Sequence, residues 1–335
     1  MHSRCLTKLR IIPSMYVIVY IPAYNEEQRI AEVIGSVPKT LPGVDQVGVL
    51  VVDDGSTDRT AEVAEAAGAG VLQHGVNQGV GGAFHTALDA ALSLGADILV
   101  SIDADNQFDS SETGRLITPI LEGKADFVTG NRFAAKEKPK NMPSIRYLGN
   151  LLMSRIVSTL SSSRPIEDVS CGFRAYSREA LLHLNLFGRF TYTQETIMDL
   201  AFKGLRIEEV PVTVRYFQTR TSRVARNLPM YGLNTFRIIL RTFRDYRPML
   251  FFGSLGLAVF FSGTAMLCFV GIHYIQTGNV SPYKMFGIGG SILIVSGLLI
   301  IGLSLLADML DRMRTTQEKL LYYEKKKIYG KTGGD

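Results

Sequence analysis

The sequence predicts an α/β protein in which a mainly parallel sheet, flanked by helices, precedes an amphipathic interfacial helix and two transmembrane helices. Three observations predict it. Short β-branched runs alternate with amphipathic stretches as far as Thr129. Several of those runs stop at polar residues. Two long segments near the C-terminus, Met249–Ile275 and Met285–Ala307, contain no Asp, Glu, Lys or Arg.

The elements follow in order. Tyr16–Ile21 is an apolar run that halts at Pro22, the pattern of a buried parallel strand. Asn25 then stands before an acidic amphipathic stretch, Glu26–Val37, and reads as the N-cap of a helix. Val47–Val52 is a second strand, with Ser56 or Thr57 placed to cap a helix over Asp58–Ala67. Gly70–Gln73 is a third strand, Gly81–Leu94 an alanine-rich helix and Asp97–Ile102 a fourth strand. Ser111–Glu122 reads as a helix and Phe127–Thr129 as a further strand. The polar stretch AAKEKPKNMP reads as a loop, Tyr147–Leu160 as a helix and Glu208–Tyr216 as a strand. Alternation at this spacing implies right-handed crossovers, and ligands of such sheets bind beyond the carboxyl ends of the strands. Asn25, Asp54, Asp103 and Asp105 all follow strand ends, so one cleft can gather them.

Each apolar C-terminal segment exceeds the ~20 residues that cross a bilayer. Arg237, Arg241, Arg244 and Arg247 precede the first, and Arg312, Arg314, Lys319 and Lys325–Lys327 follow the second. The connector carries only Lys284. The positive-inside rule then puts the catalytic domain and both termini in the cytoplasm. Tyr231–Tyr246 mixes Phe, Ile and Leu with arginine and reads as a helix lying on anionic headgroups. The expected organisation is a leader over 1–14, a globular domain over 15–228, a juxtamembrane helix over 229–248, the spans over 249–307 and a basic tail over 308–335. Val17–Ile21 is too short for the apolar stretch of a signal peptide.

The net charge of +5 suits a membrane surface or a phosphorylated substrate. Because the arginines cluster beside the spans, they favour a membrane and argue against nucleic acid. Three scattered cysteines form no disulfide framework. The histidines His74, His85, His183 and His273 lack metal-ligand spacing and read as structural or exposed.

Asp103-Ala104-Asp105 carries the strongest chemical signal. Two carboxylates at a strand end can share one Mg²⁺ or Mn²⁺ with substrate phosphates, and Gln107 can add a carbonyl oxygen. Pro22-Ala23-Tyr24-Asn25-Glu26 offers a stacking face and a carboxylate for a base, or simply a strand–turn–helix. Asp54 can bind base or ribose, or form a turn with Gly55. Asn77-Gln78-Gly79-Val80-Gly81-Gly82 either packs helix tightly on sheet or lets backbone approach a ligand, and is not a Walker loop, since no Gly-Lys-Ser/Thr follows. Glu195, in the first turn of an expected helix, either faces the sugar or satisfies the helix dipole. Arg215, Arg220, Arg223 and Arg226 suit phosphate oxygens at the bilayer surface, or anionic lipid in general.

In combination, PAYNEE, VVDDGSTD, NQGVGGA, DADNQ, GNRF and SCGFRAYSRE resemble the family-2 glycosyltransferases of GT-A fold, over about residues 16–225. Within them the pattern is similar to the polyprenyl-phosphate group, the dolichol-phosphate mannose synthases and their bacterial glucosyl relatives. The resemblance implies Pro22, Tyr24, Glu26, Val52 and Asp54 around the nucleotide, with Asp103 and Ala104. It implies Asp103, Asp105 and Gln107 at the metal, and Arg132 and Arg146 near the donor phosphates. Ser170 lies in a turn like the family's SGF-type turn, where the acceptor phosphate meets the donor sugar, and Thr221-Ser222-Arg223 replaces a Gly-x-Ser-Lys/Arg loop without its glycine. Asp105, Arg132 and Glu195 are then the catalytic candidates. The implied partners are a nucleotide-diphosphate sugar (GDP-mannose or UDP-glucose), a polyprenyl phosphate and a membrane. The sequence leaves open whether the protein forms a homo-oligomer. The rival readings are a processive polysaccharide synthase, a transferase acting on a saccharide or protein acceptor, and a non-catalytic scaffold. The chain has no Trp, hence no Gln-x-x-Arg-Trp motif of the processive enzymes.

Overall fold

A computed structural model describes residues 15–135, 142, 144–161, 166–185, 193–215, scattered positions within 233–247, and 248–330. The chain divides into two compact units, Met1–Ile238 with Tyr322–Asp335, and Ile239–Leu321.

The first unit is built on a seven-stranded sheet of order β3-β2-β1-β4-β6-β5-β7. Its strands are β1 Tyr16–Ala23, β2 Gln46–Asp53, β3 Gly70–Gln73, β4 Ile98–Ser101, β5 Phe127–Asn131, β6 Arg174–Ser177 and β7 Ile207–Pro211. Between them lie α1 Ile30–Ser36, α2 Thr60–Ala66, α3 Gly79–Ser93, α4 Thr113–Leu121, α5 Ser144–Ser161, α6 Arg178–His183 and α7 Thr193–Phe202. β1 is sandwiched between β2 and β4, and Val17 through Ile21 are almost wholly buried, as expected of a strand covered on both faces.

All pairings are parallel except those of β6, which runs against both β4 and β5. The sheet is therefore mixed, and the reversal matters. The carboxyl ends of β1, β2, β4 and β5 share one edge, and there β6 begins rather than ends. Ser101 lies opposite Arg174, as does Thr129. The turn leading into β6 is thus delivered to the edge where ligands of such sheets bind.

The helices after β1 and β2 start later than expected, for a common reason. α1 opens at Ile30 rather than Glu26, and Asn25 does not cap it. Asn25 sits in the left-handed region (φ 53°), and its side-chain oxygen accepts from the Thr57 N–H at 2.8 Å. In return, Ser56 Oγ accepts from Asn25 N and Thr60 Oγ1 from Glu26 N, each at 2.8 Å. The expected caps Ser56 and Thr57 are therefore engaged in stitching the loop after β1 to the loop after β2. The Asp58 carboxylate takes the Thr60 N–H at 3.0 Å, and α2 begins there.

The second unit holds α8, Pro248–Thr277, and most of α9, Lys284–Tyr329, both long and apolar enough to cross a membrane. The basic segment after 307 continues α9 as helix to Tyr329. Of the expected interfacial segment, only scattered residues are described; these are helical, with Leu233, Phe236 and Leu240 exposed.

The two long helices meet along small residues at seven-residue spacing. Gly256, Gly263 and Val270 are buried on α8, and Gly290, Gly297 and Ser304 on α9. A Cβ at Gly263 would lie 2.6 Å from the Gly290 carbonyl oxygen, and one at Gly297 would lie 2.7 Å from Phe260 N. Such backbone-to-backbone approach is what small residues permit between apolar helices, where packing replaces the hydrophobic drive. Gly263→Leu is expected to lower the thermal midpoint of the detergent-solubilised protein, at an overpacking cost of about 1–3 kcal/mol or more. Gly302→Leu, where a side chain meets open space, serves as the control and is expected to unfold like the wild type.

Candidate active site

The shared edge gathers three groups of residues. The first is the acidic turn after β4. Asp103, Asp105 and Gln107 are half-buried, while Ala104 is buried. Asn106 adopts a left-handed conformation (φ 58°), which an asparagine tolerates, and donates to Glu32 Oε1 at 2.8 Å. The turn is closed by Gln107 N donating to Asp105 Oδ1 at 3.1 Å. The Gln107 carbonyl accepts from Arg215 N at 2.8 Å, which fixes the exit of the turn against the segment after β7.

Gly172, in the turn before β6, presses against Asp103. A Cβ there would lie 2.5 Å from Asp103 Oδ2 and 3.0 Å from its Cγ. Only a glycine lets the β6 turn approach the carboxylate so closely. Among the described residues, no three His, Cys, Asp or Glu side chains gather closely enough to hold a metal by themselves. Two accessible strand-end carboxylates nevertheless suit Mg²⁺ or Mn²⁺, which complete their shells with water and phosphate oxygens. The residues present fit such an ion.

The second group surrounds Arg132, just beyond β5. Its guanidinium forms a two-pronged pair with Asp168, Nε to Oδ2 at 2.6 Å and Nη2 to Oδ1 at 2.8 Å, and Nη2 also reaches Ser170 Oγ at 2.9 Å. The Asp168 side chain is wholly buried, and only a tenth of the Arg132 side chain is exposed. Such a fork fixes the plane of the guanidinium and compensates a carboxylate that would otherwise be costly to bury. Ser170 donates in turn to Asn150 Oδ1 at 2.6 Å. One short turn, Asp168 to Gly172, therefore touches both Asp103 and the arginine.

The third group lies at the ends of β1 and β2. Tyr24 is exposed, Pro22 and Glu26 are half-buried, and Val52 is fully buried in the core, so any ligand contact it makes runs through its main chain. Asp54 is largely buried and heavily engaged. It accepts from Gln78 N at 2.9 Å and Gly79 N at 2.8 Å, at the start of α3, and pairs with His74 Nδ1 at 2.7 Å. His74 Nε2 meets Thr86 Oγ1 at 2.8 Å. Asp54 thus anchors the glycine-rich entry to α3 as well as the turn closed by Gly55, whose φ of +76° and tight contact with Val76 require glycine.

The remaining candidates lie on other elements. Glu195 is half-buried in the first turn of α7. Arg146 lies in α5. Arg220, Arg223 and Arg226 fall outside the described residues. Cys171 is wholly buried, and burial pushes its thiol up to about 12, which keeps it neutral and unsuited to nucleophilic work.

Several residues that build the site carry no signal a sequence reader would weigh. Arg174 is completely buried and donates to the carbonyls of Cys171 at 2.7 Å, Thr193 at 2.7 Å and Val169 at 3.0 Å, tying the β6 turn to the start of α7. Asp168, two residues before the singled-out Ser170, was within reach of the motif but has no charged partner near it in sequence. His74 is structural, one of the two readings the sequence allows, with both ring nitrogens bonded.

A family model described as Glycosyl transferase family 2 matches residues 18–184. The chain is 31% identical over 223 residues to the UDP-N-acetylglucosamine–dolichyl-phosphate N-acetylglucosaminyltransferase of Methanococcus voltae, covering 61% of this chain and 87% of that one. It is 31% identical over 214 residues to the polyprenol monophosphomannose synthase of Mycolicibacterium smegmatis, covering 60% and 78%. Among solved structures it is similar to glucosyl-3-phosphoglycerate synthase from Mycobacterium tuberculosis, at 26% identity and a TM-score of 0.51 over 70% of this chain and 80% of that one. The mixed sheet, the paired acids after β4 and these likenesses agree: the chain belongs to glycosyl transferase family 2 and is a glycosyltransferase.

Proposed function

We propose that this enzyme transfers a hexosyl group from a nucleotide-diphosphate sugar, GDP-mannose or UDP-glucose, to a polyprenyl phosphate at the cytoplasmic face of a membrane, with inversion. The observation that supports it best is the Asp168–Gly172 turn, which adjoins Asp103 on one side and Arg132 on the other. Leaving-group and acceptor chemistry need to meet in such a place. The polyprenyl-phosphate relatives and the two long apolar helices support a lipid acceptor.

In this reading an oxygen of the lipid phosphate attacks the anomeric carbon. The bond from that carbon to the diphosphate breaks, and its electron pair leaves on the diphosphate oxygen. Asp103 and Asp105, with Gln107, would hold Mg²⁺ or Mn²⁺, which supplies Lewis-acid assistance to the departing diphosphate. Arg132, its plane set by Asp168, presents positive charge where negative charge grows. Tyr24 and Glu26 receive the base. A phosphate monoester, with a second pKa of about 6, is already anionic at neutral pH and needs no strong general base.

The test is an assay of the purified full chain with a polyprenyl phosphate and a panel of labelled nucleotide sugars. Lipid-linked sugar is expected with one donor, dependent on added Mg²⁺ or Mn²⁺. Label passing only to water or to a soluble saccharide would overturn the lipid acceptor.

A further inference from the structure

Glu209, in the middle of β7, belongs to none of the three groups above. Yet its two carboxylate oxygens reach into the site's framework. Oε2 accepts from the Glu167 N–H and Oε1 from the Asp168 N–H, each at 2.9 Å. The next bonds run from the Asp168 carboxylate to the Arg132 fork. We infer that Glu209 is a positioning residue for transfer, holding the Asp168 main chain in place and, through the Asp168 carboxylate, fixing the Arg132 guanidinium against the departing diphosphate.

The chemistry of the two ends of the turn supports this. Glu209 offers two acceptors to two main-chain donors at 167 and 168. Arg174 offers three donor contacts to main-chain acceptors, two of them at 169 and 171. An anion grips the N–H groups and a cation grips the carbonyls of one short segment. That segment is over-determined, as a preorganised site requires.

A purely stabilising role fits less well. Burial pushes the Glu209 carboxyl up to about 7; the bonds from the Glu167 and Asp168 N–H groups oppose the rise, and the nearby negative charges of Asp168 and Glu167 add to it. With a folded-state pKa above the unfolded one, the folded protein binds more protons between about 4.5 and about 7, so this group costs stability as pH rises through that window. Above about pH 7 the ionised form is held at a cost to the fold, and what it provides is geometry.

The inference rests on the role proposed for Arg132, and the experiment separates the two. Full-chain Glu209→Gln, Glu209→Asp, Arg132→Lys and the double variant Arg132→Lys/Glu209→Gln are assayed with GDP-mannose and UDP-glucose against undecaprenyl phosphate. Glutamine keeps the volume but turns one acceptor into a donor facing an N–H. Glu209→Gln is expected to lower kcat by about 10- to 100-fold, the scale of a small misplacement of a catalytic group. Donor KM is expected to change far less, and the thermal midpoint at pH 8 to hold. Glu209→Asp, which keeps both acceptor oxygens, is expected to recover part of the rate. The double variant is expected to be no slower than Arg132→Lys alone, because both changes act through one guanidinium. A fast Glu209→Gln enzyme, or losses that multiply in the double variant while Arg132→Lys is itself slow, would overturn the relay alone. Arg132→Lys at full rate would overturn the role of Arg132 and the relay with it.

Discussion

Asp105→Asn is expected to cut turnover by about 10²–10³-fold at saturating donor, the scale on which charge stabilisation of a leaving group operates. The substitution keeps size and hydrogen-bonding shape and removes one negative charge from the acidic turn. Gln107 N can still donate to the amide oxygen, so the turn after β4 should persist. The loss should fall on metal affinity, because an amide is a poorer ligand for a hard cation than a carboxylate. Raising Mn²⁺ is therefore expected to restore part of the rate, and calorimetry should show weakened Mn²⁺ uptake in the presence of nucleotide diphosphate. An Asp105→Asn enzyme with undiminished turnover would contradict the metal role.

Gly172→Ala is expected to cost about 100-fold in rate while leaving the protein folded, on the scale of ångström-level misplacement in an active site. The added methyl would stand 2.5 Å from Asp103 Oδ2. Neither side yields easily. Gly172 is followed by Phe173, buried against Phe108, and by Arg174, whose guanidinium is locked onto three carbonyls. The easier movement is rotation of the Asp103 carboxylate out of its present position. If so, adding Gly172→Ala to Asp103→Ala should slow the enzyme little further, since the clashing group is already gone. Independent, multiplying losses would show that the glycine serves some other purpose.

Much of this architecture was legible in the residues. The early strands announce themselves because strands buried on both faces are continuous β-branched runs, and β3 has the bounds its sequence predicts, Gly70–Gln73. The paired acids were legible because Asp-x-Asp after such a run leaves both carboxylates near the strand's mouth. What was hidden depends on distance along the chain. β6 is four residues long, and its reversal is set by partners β4 and β5 rather than by any local pattern. Asp168 meets Arg132 across 36 positions and Glu209 across 41, so neither contact has a spacing to read. Asn25 and Ser56 looked like helix caps because their chemistry suits a cap; in the fold the same chemistry is spent across 31 positions, loop to loop. Local propensity named the right donors and acceptors and the wrong partners.

The contact of α8 with α9 carries a consequence for traffic. A hexose needs polar company at every step through a bilayer, and two helices whose main chains touch at Gly263 and Gly290 leave no lumen between them. This helix pair can tether and orient, but it offers no conduit. Under the proposed function, a lipid-linked sugar made by this enzyme would find no passage between these two helices.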